Sequence, residues 1–267
     1  MHIYHPQQNP YGLPSENVFC VADQNEKIVG DGFLIHTYHP YLFPERPTTI
    51  YLKIPESANG KDMLLGALLG RAQQIREENP EFVARVFTQL QPQERKLYDF
   101  FIESGFDKAD ALDTLEIYLP KVSFNLPNGY FIDKIPFTSP EDGMRFVQRM
   151  NAYRLDAFSM ERLQRIMNSP NFCALYINQG GRIVGEIIFA GNGKVAKIEG
   201  LYVDINYRNY GLAKLLIATG MKTLMERGVT NFEGDIIRRS VLQCKLAASC
   251  GGKYLRTLCL FPGIDYN

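Results

Sequence analysis

The sequence lacks the patterns that mark secreted, zinc-binding and membrane-spanning proteins. Its five cysteines are an odd number and include no CxxC pair, which disfavours both a disulfide framework and a zinc knuckle. No apolar run approaches the roughly 18 residues of a membrane span, and the N-terminus has no basic stretch followed by an apolar run. We therefore expect a cytoplasmic protein with no metal site and no membrane partner.

An excess of charge of one sign is also missing, because 29 lysines and arginines balance 29 aspartates and glutamates. A formal net charge of zero gives no global field that attracts nucleic acid, so no nucleic-acid partner is expected, although a local basic pocket stays open. No histidine follows His39, so a Cys-His pair in the second half would need a partner from the first. Hydrophobic residues make up 45% of the chain and aromatics 12%, enough for packed cores.

A chain of 267 residues is long enough for two domains of about 100 to 150 residues each. The first half alternates strand patterns with helix patterns, and Asn79-Pro80 is predicted to end its long helix. Residues 120–129 hold two prolines and a glycine between patterned segments. We predict a first domain at 1–120, a linker at 121–129 and a second domain at 130–267.

The second half repeats this plan with an added front end of one strand and two helices, each opened by a capping serine. The segment KIVGDGFLI at 27–35 is similar to RIVGEIIFA at 182–190. The shared order of elements and these letters together predict an internal duplication.

The segment from Tyr202 to Leu216 joins a strand pattern to an amphipathic helix pattern. In the strand, simple alternation places Glu199 on the same face as Leu201. The start of a helix presents unbonded N–H groups and the positive end of its dipole, which suits phosphate oxygens. Gly211 lets a ligand approach the main chain closely, and Arg208 adds a charge and a fork of donors.

The letters R-N-Y-G-L-A from Arg208 to Ala213 resemble the R/Q-x-x-G-x-G/A signature of the GCN5-related N-acetyltransferases (GNAT), which grip the pyrophosphate of acetyl coenzyme A. The order of elements from Tyr130 onward is similar to that family as well. The resemblance implies an α/β fold of two GNAT-like domains, each a mixed, mostly antiparallel central sheet flanked by helices. The first domain resembles a truncated, degenerate copy without cofactor, because its loop IPESANGKDMLLGALL lacks the signature.

The resemblance also implies roles for particular residues. The main chain of Leu201, Tyr202 and Val203 would bind the pantetheine arm. The pyrophosphate loop and the start of the following helix would be Arg208, Asn209, Tyr210, Gly211, Leu212 and Ala213. Ser240, at the position of a family asparagine, would bond acetyl-CoA, the only cofactor implied.

Catalysis needs a base, because at pH 7 only about one alkylammonium in two thousand carries a free lone pair. The family often uses a carboxylate here, and Glu199 resembles it best, with Glu233 and Asp235 in reserve. Glu199 pairing merely with Lys197 or solvent is the alternative. Ala247 stands where the family has an acidic tyrosine, which leaves water, Cys244, Ser249, Tyr254 or no group as the acid; a main-chain N–H near Tyr202 or Val203 would stabilise the developing negative charge.

The resulting functional hypothesis is acetyl transfer from acetyl-CoA to a primary amine of a small molecule or peptide, by direct attack in a ternary complex. The alternative is a non-catalytic acyl-CoA-binding protein, which the missing tyrosine favours. A third possibility is similarity to the two-domain enzymes that attach amino acids to cell-wall peptides from charged tRNA, which the neutral charge disfavours. The sequence does not identify the acceptor or the oligomeric state.

Overall fold

The computed structural model describes residues 1–78, 83–122, 126–152 and 154–266. The predicted helix end at Asn79-Pro80 and part of the predicted linker, residues 123–125, lie outside the described residues. The chain forms two compact units, one built from Met1–Ala111 and Leu258–Asn267 and the other from Leu112–Thr257.

The helices and strands of the described residues follow in chain order. They are β1 (His2–Tyr4), β2 (Val18–Ala22), β3 (Ile28–Tyr38), β4 (Thr48–Lys53), α1 (Lys61–Glu78), β5 (Ala84–Phe87), α2 (Arg95–Glu103), β6 (Ala111–Glu116), β7 (Tyr130–Lys134), α3 (Pro140–Asn151), α4 (Met160–Met167), β8 (Cys173–Gln179), β9 (Arg182–Asn192), β10 (Val195–Val203), α5 (Leu212–Met225), β11 (Asn231–Ile237), α6 (Val241–Ser249), β12 (Lys253–Leu260) and β13 (Gly263–Tyr266).

The first unit contains a sheet in the order β1-β2-β3-β4-β5-β13. Its neighbours are antiparallel except for β4 and β5, which are parallel. Helix α1 packs on β2 and β3, and Leu64 and Leu68 of the helix share a core with Leu34 and Leu52 of the strands. Alternating apolar residues in the strands and leucines at helical spacing explain this face.

The second unit contains a sheet in the order β12-β6-β11-β10-β9-β8-β7. Strands β10 and β11 are parallel, whereas β7–β8, β8–β9, β9–β10 and β6–β11 pair antiparallel. Helix α5 shares a core with Ile187 and Phe189 of β9, while α3 and α4 share a different core with Ile188 and Ala190. The helices therefore cover opposite faces of the sheet, because successive side chains of a strand point to opposite faces. The predicted fold class, α/β with two mixed and mostly antiparallel sheets flanked by helices, is confirmed.

Two strands join a sheet other than the one that their place in the sequence suggests. Strand β6 follows the elements of the first sheet but pairs with β11 in the second, and the C-terminal strand β13 pairs with β5 in the first. Sheet membership therefore departs from the predicted division at 120 and 130, and those boundaries stay a prediction.

The capping serines predicted at the fronts of α3 and α4 are confirmed. The Ser139 side chain accepts from the Asp142 amide in a capping box, and the Ser159 side chain accepts from the Arg162 amide. Each cap satisfies a donor at a helix start, which fixes where the helix begins. None of the helices in the described part of the chain combines the length and the apolarity that crossing a membrane would require.

Candidate functional site

Strand β10 carries a β-bulge at Glu199. Its register with β9 jumps from Ile198 opposite Phe189 to Gly200 opposite Ile188, so Glu199 is an extra residue without a cross-strand partner in that ladder. Ile198 and Leu201 both pack in the core shared with α5, whereas the Glu199 carboxylate contacts Arg162 of α4. The expectation that Glu199 shares a face with Leu201 is therefore wrong, because the bulge interrupts the alternation.

Strands β10 and β11 separate immediately after this point. Among the described residues their parallel pairing covers Val195–Ile198 and Asn231–Gly234, although both strands continue, to Val203 and Ile237. A cavity of about 250 Å³ opens where they part. Beyond Ile198, β10 stays in register with β9 as far as Val203, and Leu201 of this second half lines the cavity.

The part of the cavity that lies between the separated strands β10 and β11 and the helices α5 and α6 has apolar walls. Strand side chains Ile198, Leu201 and Ile236 line it together with Ile217 of α5 and Leu246 of α6. Small residues complete this part of the wall: Gly234, Ala247 and Cys250. An apolar slot with a few polar groups at one end is the usual form of a small-molecule site.

The polar end of the cavity is a network centred on the bulge. Arg162 Nη2 donates to Glu199 Oε2 at 2.9 Å, and Arg154 Nη1 donates to the main-chain carbonyl of Glu199 at 2.9 Å. Asp156 accepts from Arg154 at 2.8 Å and from Arg162 at 2.8 Å. Both guanidinium groups lie over the ring of Phe158, with their carbons 5.6 and 5.1 Å from its centroid. The segment between α3 and α4 is thus tied to Glu199 by its side chain and by its main chain.

These contacts perturb the titration of the groups that surround Glu199. Burial raises the pKa of Asp156, but its bonds to Arg154 and the charges of Arg154 and Arg162 outweigh that effect, so the pKa is lowered. Burial lowers the pKa of Arg162, yet its bonds to Glu199 and Asp156 leave the pKa raised. The network is therefore fully ionised at neutral pH on the Arg162 and Asp156 side.

Lys197 forms a second ion pair on the same face of β10. Its Nζ lies 2.5 Å from Asp235 Oδ2 on β11, and Thr114 of β6 donates to Asp235 at 2.8 Å. The alternative pairing of Glu199 with Lys197 is therefore not what the structure shows. Glu233, the other reserve carboxylate, pairs with Arg256 at 2.7 Å and is not among the residues described as lining the cavity.

The loop after β10 is anchored by Asp204 at its beginning and exposed at residues 209–211. Asp204, which is buried, accepts from the Asn206 amide at 3.0 Å and from Arg182 at 2.7 Å. Asn209 and Gly211 adopt left-handed φ values of 68° and 79°. Asn209, Tyr210 and Gly211 are exposed, and a methyl group built at Gly211 meets nothing within 4 Å among the described residues.

Helix α5 begins directly behind this loop. The Leu215 amide bonds the Gly211 carbonyl at 3.0 Å, so the amides of Leu212 and Ala213 precede the first intrahelical bond and point out of the helix. With the helix dipole behind them and Arg208 in the loop, they form the kind of place where anions bind. The structure thus brings the predicted loop residues together at one exposed helix start, while their role in binding acetyl-CoA stays a prediction.

The remaining predicted residues are Ser240 and the three proposed acids. Each forms hydrogen bonds outside the described cavity wall. Ser240 is buried, and its Oγ accepts from the Gln243 amide at 3.5 Å as the N-cap of α6; it is not among the described cavity residues. The same holds for the three proposed acids. Cys244 Sγ bonds the Arg238 carbonyl, Ser249 Oγ bonds the Leu246 carbonyl, and Tyr254, 61% exposed, bonds Thr257.

Cys250 is a cavity residue that the sequence analysis did not single out. It lines the wall beside Ala247, and the signal for this was its i, i+3 spacing from Ala247 on one helix face. It is 2% exposed, and burial raises the pKa of its thiol. The thiol is thus protonated at neutral pH and is a weak acid.

Glu186 is a second residue that sequence reasoning missed. It is 0% exposed on β9, opposite Tyr202 of β10, and accepts two bonds from Arg149 of α3 at 2.6 and 2.7 Å. Burial raises the pKa of Glu186, although Arg149 acts against that shift. The pair ties α3 to the sheet beside the cleft, and its signal in the sequence was a single charge inside the otherwise apolar run IVGEIIFA at 183–190. Among the described residues, no group of three histidine, cysteine, aspartate or glutamate side chains could hold a metal ion.

Comparison with known proteins gives one family match and a shared fold. Residues 142–236 match the model of the acetyltransferase (GNAT) family, and no curated protein sequence matches the chain significantly. A GCN5-related N-acetyltransferase from Sphaerobacter thermophilus is 14% identical, with 96% of this chain and 82% of that chain covered and a TM-score of 0.50.

Two further solved structures match at lower TM-scores. A GCN5-related N-acetyltransferase from Kribbella flavida is 14% identical over 88% of this chain and 86% of that chain, with a TM-score of 0.44. A tandem GNAT protein from the clavulanic acid biosynthesis pathway is 13% identical over 93% and 82%, with a TM-score of 0.46. At 14% identity, the likeness to the Sphaerobacter thermophilus protein is one of fold.

Proposed function

Because residues 142–236 match the model of the acetyltransferase (GNAT) family, we propose that the protein transfers an acetyl group from acetyl-CoA to a primary amine. The observation that carries the proposal is the parting of β10 and β11 after Ile198, with the exposed start of α5 following β10 and the carboxylate of Glu199 at the polar end of the cavity. The acetyl-CoA donor would bind in the apolar slot and at the start of α5, and the amine acceptor would bind at Glu199. An odd number of cysteines without a CxxC pair supports the cytoplasm as the compartment.

The donor fits the apolar slot and the helix start. The diphosphate of acetyl-CoA would accept from the amides of Leu212 and Ala213 and from Arg208, where exposed backbone donors and a positive dipole end coincide. The pantetheine amides would bond the main chain of Leu201–Val203, in the part of β10 that lies beyond its pairing with β11. The apolar walls of the cavity would bury the arm, and this supports the same placement.

Glu199 would act as the base. It sits at the bulge, so its carboxylate lies on the side of the cleft lined by α3 and α4 rather than in the core shared with α5. An acceptor arrives as an ammonium ion and can exchange with the Arg162 guanidinium as the cationic partner of this carboxylate, after which its proton passes to Glu199. The nitrogen then attacks the thioester carbon, the C–N bond forms and the C–S bond breaks.

The thiolate of coenzyme A leaves and needs a proton. Cys244, Ser249 and Tyr254 are outside the described cavity wall, and the raised pKa of Cys250 makes it a poor donor. We therefore propose that water at the polar end of the cavity carries this proton to the thiolate from the acceptor nitrogen, which loses its second proton as the amide forms.

A non-catalytic acyl-CoA-binding protein is the second candidate, and Ala247 in the cavity wall favours it because it offers no hydroxyl beside the thioester. The two are separated by calorimetric titration with acetyl-CoA and by thiol release in the presence of a panel of amines. Binding with thiol release in proportion to an acetylated amine supports catalysis. Binding without release for every amine supports the second candidate, and absence of binding contradicts both.

A further inference from the structure

The polar end of the cavity holds cations and carboxylates in equal number. The cations are Arg154, Arg162 and Lys197, and the carboxylates are Asp156, Glu199 and Asp235. Arg162 lies 2.9 Å from Glu199 and 2.8 Å from Asp156, Arg154 lies 2.8 Å from Asp156, and Lys197 lies 2.5 Å from Asp235. The polar end, which forms the mouth of the cavity, is thus electrically balanced. It presents both positive and negative side chains to a ligand.

The two arginines at the polar end of the cavity are partly exposed, and Arg162 has N–H donors beyond those that bond Asp156 and Glu199. The side chains of Arg154 and Arg162 are 22% and 29% exposed. A guanidinium carries several N–H donors in a planar fork, and the bonds of Arg162 to Asp156 and Glu199 use one N–H on each of its two terminal nitrogens. Such a fork suits a second carboxylate, which it can bind with two parallel bonds.

Charge balance decides between classes of acceptor. An acceptor with one ammonium group and no anion adds a positive charge beside three cations, and a diamine adds two. Because the three cations and three carboxylates already balance, each added cation leaves one positive charge without a carboxylate partner a few Å away, which disfavours binding. An amine that carries a carboxylate keeps the mouth neutral, because its ammonium takes the place of Arg162 at Glu199 while its carboxylate pairs with the arginine released.

We propose that the acceptor is an amine that carries a carboxylate on the same molecule, with the ammonium held at Glu199 and the carboxylate held by Arg154 and Arg162. This rests on the proposed acyl transfer at Glu199. In the reaction the acceptor ammonium gives one proton to Glu199, the C–N bond forms and the C–S bond breaks, and the second proton that the nitrogen loses passes through water to the leaving thiolate. The two arginines are specificity-determining residues that touch the acceptor but not the reacting atoms.

The test uses acceptors that differ only at the end remote from the amine. The full-length protein is assayed for acetyl-CoA-dependent thiol release with ω-amino acids from glycine to 6-aminohexanoate, each against the alkylamine and the diamine of the same carbon number. We expect kcat/KM for at least one amino acid to exceed that of its alkylamine by about tenfold, the value of one charge-assisted hydrogen-bonded pair. The diamine is expected to be the poorest of each set.

Substitutions then test whether Arg154 and Arg162 cause the preference for amino acids over alkylamines. Arg154→Gln and Arg162→Gln should bring the amino acid and the alkylamine to within about twofold of each other, chiefly through KM of the amino acid, and Arg162→Lys should restore part of the preference. Arg256→Gln is the matched control, because Arg256 pairs with Glu233 and is not among the described cavity residues; it should keep the full preference. Calorimetric affinity for acetyl-CoA shows that each variant is folded.

The outcomes separate the two proposals. Alkylamines or diamines that match or exceed the amino acids at every length overturn the carboxylate inference and leave acyl transfer standing. A carboxylate preference that survives both Arg→Gln variants overturns the assignment to Arg154 and Arg162. Acetyl-CoA binding without thiol release for any amine overturns the proposed function and this inference with it.

Discussion

The two long helices, α1 and α5, start with the same backbone conformation, but the surroundings of the two helix starts differ. Each follows a glycine in the left-handed region, Gly60 at φ 72° and Gly211 at φ 79°. At the first start, the Asn59 amide donates to the Val29 carbonyl at 3.0 Å and a methyl on Gly60 would meet Val21 at 3.1 Å. At the second start, a methyl on Gly211 meets nothing within 4 Å among the described residues. The first start is therefore covered at its glycine, whereas the second is open there.

The strands in front of these helices differ in the same sense. Strand β4 pairs with β3 in one continuous register from Thr48 to Lys53, whereas β10 is interrupted at Glu199. A continuous ladder uses its backbone groups internally, and a bulge re-aims a side chain and frees backbone groups locally. The comparison teaches that an open helix start and a bulged strand occur together in the second unit, and that α1 and β4 in the first have neither.

Glu199→Gln is expected to have the largest effect. If the bulge serves to present a base, loss of the carboxylate should lower kcat by about 10²- to 10⁴-fold and leave affinity for acetyl-CoA within about twofold of the parent protein. Steady-state kinetics and calorimetry measure the two. Glu161→Gln is the control, because Glu161 is exposed on α4 next to Arg162. Equal kcat in the Glu199 and Glu161 variants would show that the bulge serves no catalytic purpose.

The next prediction concerns the free energy of unfolding. It compares one arginine–carboxylate pair in each of the two units. In the second unit the carboxylate Glu186 is 0% exposed and Arg149 is its partner. Arg149→Met leaves that carboxylate uncompensated and should lower the free energy of unfolding by about 3 to 5 kcal/mol at neutral pH. In the first unit the arginine, Arg85, is the buried member, and it keeps Asp265 when Asp107 is removed. Asp107→Asn should therefore cost less.

The pH dependence of the Arg149 variant checks the cause. Burial raises the pKa of Glu186, so its native state holds a proton more readily than the unfolded chain does. A raised carboxyl pKa contributes stability at acid pH that is lost as pH rises through the folded pKa. The deficit of Arg149→Met should therefore shrink as pH falls below neutral, measured by urea unfolding. A deficit that is constant with pH would assign the loss to packing.

The sequence predicted those parts of this comparison that depend on neighbours along the chain. The loop 208–211 and the start of α5 follow from local turn chemistry, and the caps at Ser139 and Ser159 from spacing. The bulge at Glu199 was not predicted, because it is a property of the pairing with β9 and leaves no mark on the alternation of letters. The bonds from Arg154 and Arg162 were missed for the same reason, since they join residues that lie 45 and 37 positions from Glu199. The exchange of β6 and β13 also depends on long-range pairing that periodicity does not encode.

Gly211→Val tests the open helix start itself. A branched side chain there would cover the amides of α5 and strain the left-handed backbone, so affinity for acetyl-CoA should fall about 100-fold in calorimetry. Strain alone is controlled by Gly228→Val, since Gly228 has φ 88° and open space around it at the other end of α5. The control should keep its affinity within about threefold. If both variants lose binding equally, the effect comes from the backbone of α5 and not from a covered anion site.

Arg208→Gln against Lys61→Gln is the smallest and most discriminating test of the two helix starts. Arg208 would donate to the diphosphate, so its loss should weaken acetyl-CoA binding about tenfold and reduce the dependence of Kd on salt, because one screened ion pair is gone. Lys61 begins α1, and its Nζ donates to the Ala58 carbonyl at 2.8 Å, a bond within its own loop. Lys61→Gln should therefore leave both Kd and its salt dependence unchanged. Equal weakening by the two substitutions would mean that the first helix start also binds the nucleotide, which its contacts with Val21 and Val29 argue against.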